Sequence, residues 1–157
     1  MSRGKVKNRN IVGPDLIYNS VKVSKFINYI MQDGKKNLAN DLVYKSFEVI
    51  KEKTKNPNPL EIFDLAIKNA GPLMEVRSRR IGGANYQVPR EVRAERRLSL
   101  AMRWILASAK SKKGKAFHQF LADELIAASQ NEGEAVRKRE NVHKMAEANK
   151  AFAHFAW

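Results

Sequence analysis

Between Arg77 and Arg97 stand seven of the chain's twelve arginines, with two acids and no lysine, although lysine outnumbers arginine 18 to 12 overall. Arg77, Arg79 and Arg80 come first, Arg90 and Arg93 follow, and Arg96 with Arg97 ends the stretch. A guanidinium is a flat fork that grips a phosphate through two donors and lies against base faces; an ammonium is a compact, strongly hydrated point charge. A segment that takes arginine and refuses lysine predicts folded RNA held in fixed geometry. The bland alternative is a chance cluster on a solvated face, and an even spread of twelve arginines over 157 residues argues against it.

The residues for other chemistry do not assemble in this sequence. Of the three histidines, His118, His143 and His154, none pairs with another at metal-ligand spacing, and with no cysteine neither a zinc site nor a disulfide is expected. The glycines at Gly34 and Gly114 lack the spacing and the Ser/Thr of a phosphate loop. Serines and aspartates form no recognisable triad. The expectation is a protein without catalysis, metal or cofactor.

The chain's 157 residues, 43% of them hydrophobic, suffice for one domain with a real core, and a net charge of +14 with a pI near 10.1 calls for a polyanionic partner. The charge is unevenly spread. Residues 1–36 carry a net +6, residues 76–97 a net +5, and residues 98–115 five bases with no acid, while the remaining segments are slightly acidic. The candidate phosphate contacts follow from that map. They are Arg3, Lys5, Lys7 and Arg9 in a flexible basic arm over residues 1–15; Lys22, Lys25, Lys35 and Lys36 after it; and Arg77, Arg79, Arg80, Arg93, Arg96 and Arg97 in the arginine stretch. Arg103, Lys110, Lys112, Lys113 and Lys115 complete the set. The opening "MSRGKVKNRN" lacks the apolar stretch of a secretory signal, and no run approaches the roughly 20 apolar residues of a membrane span, so a soluble, cytoplasmic protein is expected. A membrane-surface role fits the charge but not the helices, whose apolar faces are needed for the core.

The elements that must hold these residues are mostly helices. Val23, Phe26, Ile27, Ile30 and Met31 make one apolar helix face, expected to end at Gly34. A second helix runs from about Lys36 to Lys53 with Ala39, Val43, Phe47 and Ile50 inward. Asn58, Pro59 and Glu61 signal the start of a third, with Leu60, Phe63, Ile67 and Ala70 inward until Gly71-Pro72. A wheel of the fourth helix, about Ala94 to Lys110, puts Arg96, Arg103 and Lys110 on one stripe and Leu98, Met102, Ile105 and Ala109 opposite. Leu100 and Trp104 lie beside the basic stripe, either packed under a neighbour or open to stack on a base. Fifth and sixth helices follow, around Phe117–Ala128 and Glu134–Asn149. Between helices three and four the period changes, and two alternating runs around "GGAN" predict a β-ribbon over residues 73–92. The fold class is therefore mainly α: a single RNA-binding domain of about six helices with a projecting two-stranded antiparallel ribbon.

"IYNS", "KFINYIMQDGKK", "VRSRRIGGANYQVPREVRAERR", "LAMRWI" and "VHKMAEANKAFAHF" resemble the family of bacterial-type small-subunit ribosomal protein seven, over essentially the whole chain. The resemblance implies a primary binder of ribosomal RNA that attaches to a multi-helix junction in the head of the small subunit and nucleates head assembly. It also implies that the ribbon tip (Gly82, Gly83, Ala84, Asn85 and Tyr86) and the C-terminal helix with Lys144 and Lys150 lie near exit-site transfer RNA and messenger RNA. Small-subunit ribosomal proteins nine and eleven would be neighbours. Two other readings stay open: a nucleoid-type DNA binder using the ribbon as a groove arm, and an assembly scaffold without a role at the transfer-RNA sites.

Overall fold

A computed structural model describes residues 11–155. The chain falls into two compact units, Met1–Asn40 and Asp41–Trp157. The basic arm's Arg3, Lys5, Lys7 and Arg9 lie outside the described residues.

In the first unit, helix α1 (Val21–Ile30) buries Val23, Phe26, Ile27 and Ile30, the face that the spacing dictates. It stops at Ile30 rather than at Gly34, because the backbone of Met31 turns extended (ψ 132°). Asp33 and Gly34 then take left-handed conformations, φ +52° and +72°, in the turn that leads to α2 (Lys36–Thr54). Gly34 thus shapes the turn between helices instead of capping the first. Along α2, Ala39, Val43, Phe47 and Ile50 are all buried, as their period requires.

The second unit holds the remaining helices. At the start of α3 (Pro59–Ala70) the Asn58 side chain accepts the Leu60 N–H at 3.2 Å and donates to the Glu61 carboxylate at 3.2 Å, and Pro59 fills the first turn, where a missing N–H costs nothing. Phe63, Ile67 and Ala70 are buried with Ile62 and Ala66, while Leu60 is only half-buried in the first turn. Helices α4 (Ala94–Ser111) and α5 (Phe117–Ser129) pack with α3, and α6 (Glu134–Ala148) lies against all three and against the ribbon. Phe47 meets Phe63 edge-on, with centroids 5.6 Å apart.

Strands β1 (Met74–Ile81) and β2 (Ala84–Glu91) form the antiparallel ribbon between α3 and α4, paired from Met74↔Glu91 to Ile81↔Ala84. Gly82 and Gly83, at φ +56° and +89°, make the two-residue turn; positive φ at both positions is what such a tight hairpin demands. Ala84 and Asn85, expected in the turn, belong to β2. Beyond α6 a short 3-10 segment, Lys150–Phe155, folds back along β2, an element that the periodicity does not announce.

Candidate nucleic-acid interface

The ribbon's register sorts its arginines. Directly opposed residues of an antiparallel pair share a face, so Glu75 and Arg90, Arg77 and Val88, Arg79 and Tyr86 stand on one side. Arg80, paired with Asn85, stands on the other, one pair from the closing Ile81↔Ala84 pair. The period of two thus splits the three: Arg77 and Arg79 share one face, and Arg80 stands on the other, near the tip.

A groove of about 600 Å³ runs from the ribbon base to the first turn of α4, and four of the seven arginines line it: Arg77, Arg90, Arg93 and Arg96. Glu75 holds two of them, Arg77 and Arg96. Its largely covered carboxylate receives Arg77 Nη2 at 2.7 Å and Arg96 Nη2 at 3.3 Å, so a strand residue and a helix residue are pinned side by side. A guanidinium has five N–H donors, and both arginines stay exposed, so the carboxylate fixes their orientation without exhausting them. Pinned planar cations lining a concavity are suited to phosphate oxygens at fixed positions.

Other predicted contacts divide between solvent and structure. Arg103 and Lys110 are exposed on the stripe that Arg96 begins, and Met102, Ile105 and Ala109 are buried opposite, with Leu98 half-buried. Leu100 is buried, so it packs rather than stacks; Trp104 is half-buried. Lys113 and Lys115 are exposed, as are Lys22, Lys35 and Lys36, and Lys25 is half-buried. Arg97 is turned to structural use: Nε donates to the Gly71 carbonyl and Nη2 to the Lys68 carbonyl, both at 3.2 Å, satisfying acceptors at the end of α3. Arg139 does the same for Asn69 at 2.7 Å. Lys112 Nζ sits 2.8 Å from the carboxylate of Glu124, which is fully buried and also accepts the Ala135 N–H at 3.1 Å at the start of α6. Arg79 Nη1 donates to the Phe155 carbonyl at 2.6 Å.

At the tip, Gly82, Gly83, Ala84 and Asn85 are exposed. Tyr86 is not open to a ligand on both faces: its ring lies 5.4 Å from Phe152 and 5.2 Å from Phe155. Lys144 and Lys150 are exposed. Lys144 shares a second groove, of about 420 Å³, with Lys68, Arg97, Arg139 and His143. The Leu73 N–H donates to His143 Nε2 at 2.9 Å, tying the ribbon base to α6. Burial, then the charges of Arg139 and Arg97, hold this imidazole below its ordinary pKa. The Arg96 partner of Glu75 and the partners of Glu124 and His143 lie too far along the chain for spacing to announce their parts, and Glu75 alone has a local signal, as the acid nearest ahead of the arginine run.

Among the described residues, no three His, Cys, Asp or Glu side chains gather as a metal site, and no helix is long and apolar enough to cross a membrane. Residues 1–150 match the model of the family described as ribosomal protein S7p/S5e. The chain belongs to that family. As a member of the S7p/S5e family it is a ribosomal structural protein and not an enzyme, which places it with cytoplasmic ribosome components. The small ribosomal subunit protein uS7 of a Thermoanaerobacter species is 54% identical over 155 residues, covering 99% of this chain and 98% of the relative. Its counterpart in Thermotoga maritima is 51% identical over 157 residues and covers both chains fully. The counterpart in Moorella thermoacetica is 53% identical over 155 residues, with 99% and 98% covered. The S7p/S5e likeness thus spans the arginine stretch and both units.

Proposed function

We propose that this chain is a primary binder of small-subunit ribosomal RNA that grips the RNA through the Glu75-pinned arginine groove and nucleates assembly of the subunit head at a multi-helix junction. The observation that carries this reading is the convergence of Arg77, Arg90, Arg93 and Arg96 from two strands and the start of a helix on one concavity. Arg103, Lys110, Lys113 and Lys115 extend the contact along α4 and past its end, and the first unit's lysines add a further set. The exposed tip, with Arg80 beside it, and Lys144 and Lys150 lie near exit-site transfer RNA and messenger RNA; proteins nine and eleven of the small subunit are neighbours. The uncharged, Gly-rich turn supports the tip's part, because small residues allow a backbone to approach another molecule closely.

The test is to replace Arg77 and Arg96 by Lys in the full chain and titrate small-subunit RNA. Charge is kept and the fork is lost, so affinity falls by about tenfold, the size of one charge-assisted hydrogen bond, while the salt dependence stays nearly the same. Equal affinity of the variant, or equal affinity of the unaltered chain for duplex DNA and folded RNA at one salt concentration, overturns the reading.

A further inference from the structure

The 3-10 segment Lys150–Phe155 buries none of its six residues, so it adds nothing to the core, yet it lies folded against β2. Runs of 3-10 helix longer than three or four residues are uncommon, because their hydrogen bonds are poorly aligned, so its support comes from outside itself. That support is the outer half of the ribbon. The ring of Tyr86 lies 5.4 Å from Phe152 and 5.2 Å from Phe155, and the two phenyl rings stack with centroids 6.4 Å apart. Opposite Tyr86 in the register stands Arg79, whose Nη1 donates to the Phe155 carbonyl at 2.6 Å. One segment thus holds both strands, two pairs short of the closing Ile81↔Ala84 pair.

A two-stranded ribbon is marginal by itself in water. This one has a second anchor at its base, where the Leu73 N–H donates to His143 Nε2 on α6 at 2.9 Å, and Val88, between the two anchors, is buried. The segment does not mask the arginine groove. Arg77 and Arg90, on the clasped face, stay exposed with the segment in place, and Ala153 forms part of the groove wall. We infer that the 3-10 segment is a clasp that fixes the pose of the ribbon before any partner arrives, with Phe152 and Phe155 as positioning residues acting through Tyr86 and Arg79. The tip is then a fixed prong and not a swinging arm, and Arg77 and Arg90 are set beside Arg93 and Arg96 in advance. The effect on RNA affinity rests on the RNA-binding reading above; the clasp itself does not.

Two measurements on the full chain test this. In the RNA-free protein, Phe152→Ser with Phe155→Ser speeds exchange of the protected ribbon amides between Arg77 and Val88 about tenfold or more, the order expected when two aromatic pairs are lost. Amides of α3, α4 and α5 keep their native exchange, which also shows that the variant is folded. Phe152→Tyr with Phe155→Tyr retains both rings and the native exchange throughout. On small-subunit RNA the serine variant binds about three- to tenfold more weakly, since binding must then order the ribbon. The slope of log K against log salt is unchanged, because no cation is removed, and the tyrosine variant binds like the native chain. Native ribbon exchange in the serine variant overturns the clasp. Faster exchange with equal RNA affinity confines the segment to stability and overturns the positioning role; a raised affinity shows that it masks the arginines and overturns it likewise. If the native chain binds no structured RNA, the RNA-binding reading falls, and the exchange measurement still decides the clasp.

Discussion

His143 shows how much a single side chain depends on contacts that lie far apart in sequence. Its Nε2 accepts a hydrogen bond from Leu73, seventy positions earlier, and it can do so only while that nitrogen is unprotonated. Partial burial and the neighbouring Arg139 and Arg97 lower its pKa from the ordinary 6.5. Below pH 6.5 the unfolded chain therefore binds a proton that the folded chain resists, so stability is full above that value and is lost as pH falls toward the depressed folded-state pKa. Replacing His143 by Gln removes this proton linkage. Thermal unfolding of the two proteins at pH 7.5 and pH 5.5 should show a larger loss for the native chain, and the variant itself should be less stable at pH 7.5 by about 1 kcal/mol, the worth of one hydrogen bond. None of this was legible from residue types, because a histidine's role is set by its partners. The arginine run stands out in the sequence because composition alone separates fork from point charge, and its RNA contact is the proposal made above. What it could not reveal is that Arg97 would be spent on the carbonyls of Lys68 and Gly71 while Glu75 pins Arg77 to Arg96.

Elements follow the pattern closely wherever one face is apolar. The wheel of α4 gave its buried and basic sides, and Asn58-Pro59 gave the start of α3, since both signals are local. Departures occur at element ends: α1 stops before its glycine, where Met31 turns extended, and the 3-10 segment after α6 sets Phe152 and Phe155 against Tyr86 on β2, a tertiary contact. The junction of α4, α5 and α6 is another such case. There Lys112, at the C-cap of α4, neutralises the buried Glu124 of α5, whose other oxygen takes the Ala135 N–H at the start of α6. Removing the lysine leaves a carboxylate buried with one partner fewer. Because Lys112 itself is partly exposed, the cost is expected near 1–2 kcal/mol rather than the larger loss of a fully buried pair. Lys112→Ala should therefore melt several degrees lower than the native chain, and Lys113→Ala, on an exposed neighbour, should not. Equal melting temperatures for both variants would show that the pair does not hold the three helices.

At the scale of the whole molecule the governing quantity is a charge of +14 concentrated in three segments. Some of it is internal to the fold: Arg97 and Lys112 serve carbonyls and a buried carboxylate. The exposed remainder in the second unit still includes Arg77, Arg90, Arg93 and Arg96 in the groove, with Arg103, Lys110, Lys113 and Lys115 beyond it. Each phosphate that such cations neutralise releases condensed counterions, so affinity must fall with salt. If about six phosphates are engaged, log K for small-subunit RNA declines against log salt with a slope near −4 to −5, taking roughly 0.7–0.9 per phosphate. Lys113→Ala with Lys115→Ala removes two of those contacts and makes the slope shallower by about 1.5 on the same scale. The Arg77→Lys and Arg96→Lys pair, which keeps both charges, lowers affinity at every salt concentration and leaves the slope in place. Titrations between 50 and 200 mM salt, the range over which such slopes are read, separate the two effects. Parallel lines for the lysine-to-alanine pair and the native chain would mean that the segment after α4 faces solvent and not RNA, and would confine the electrostatic contact to the groove.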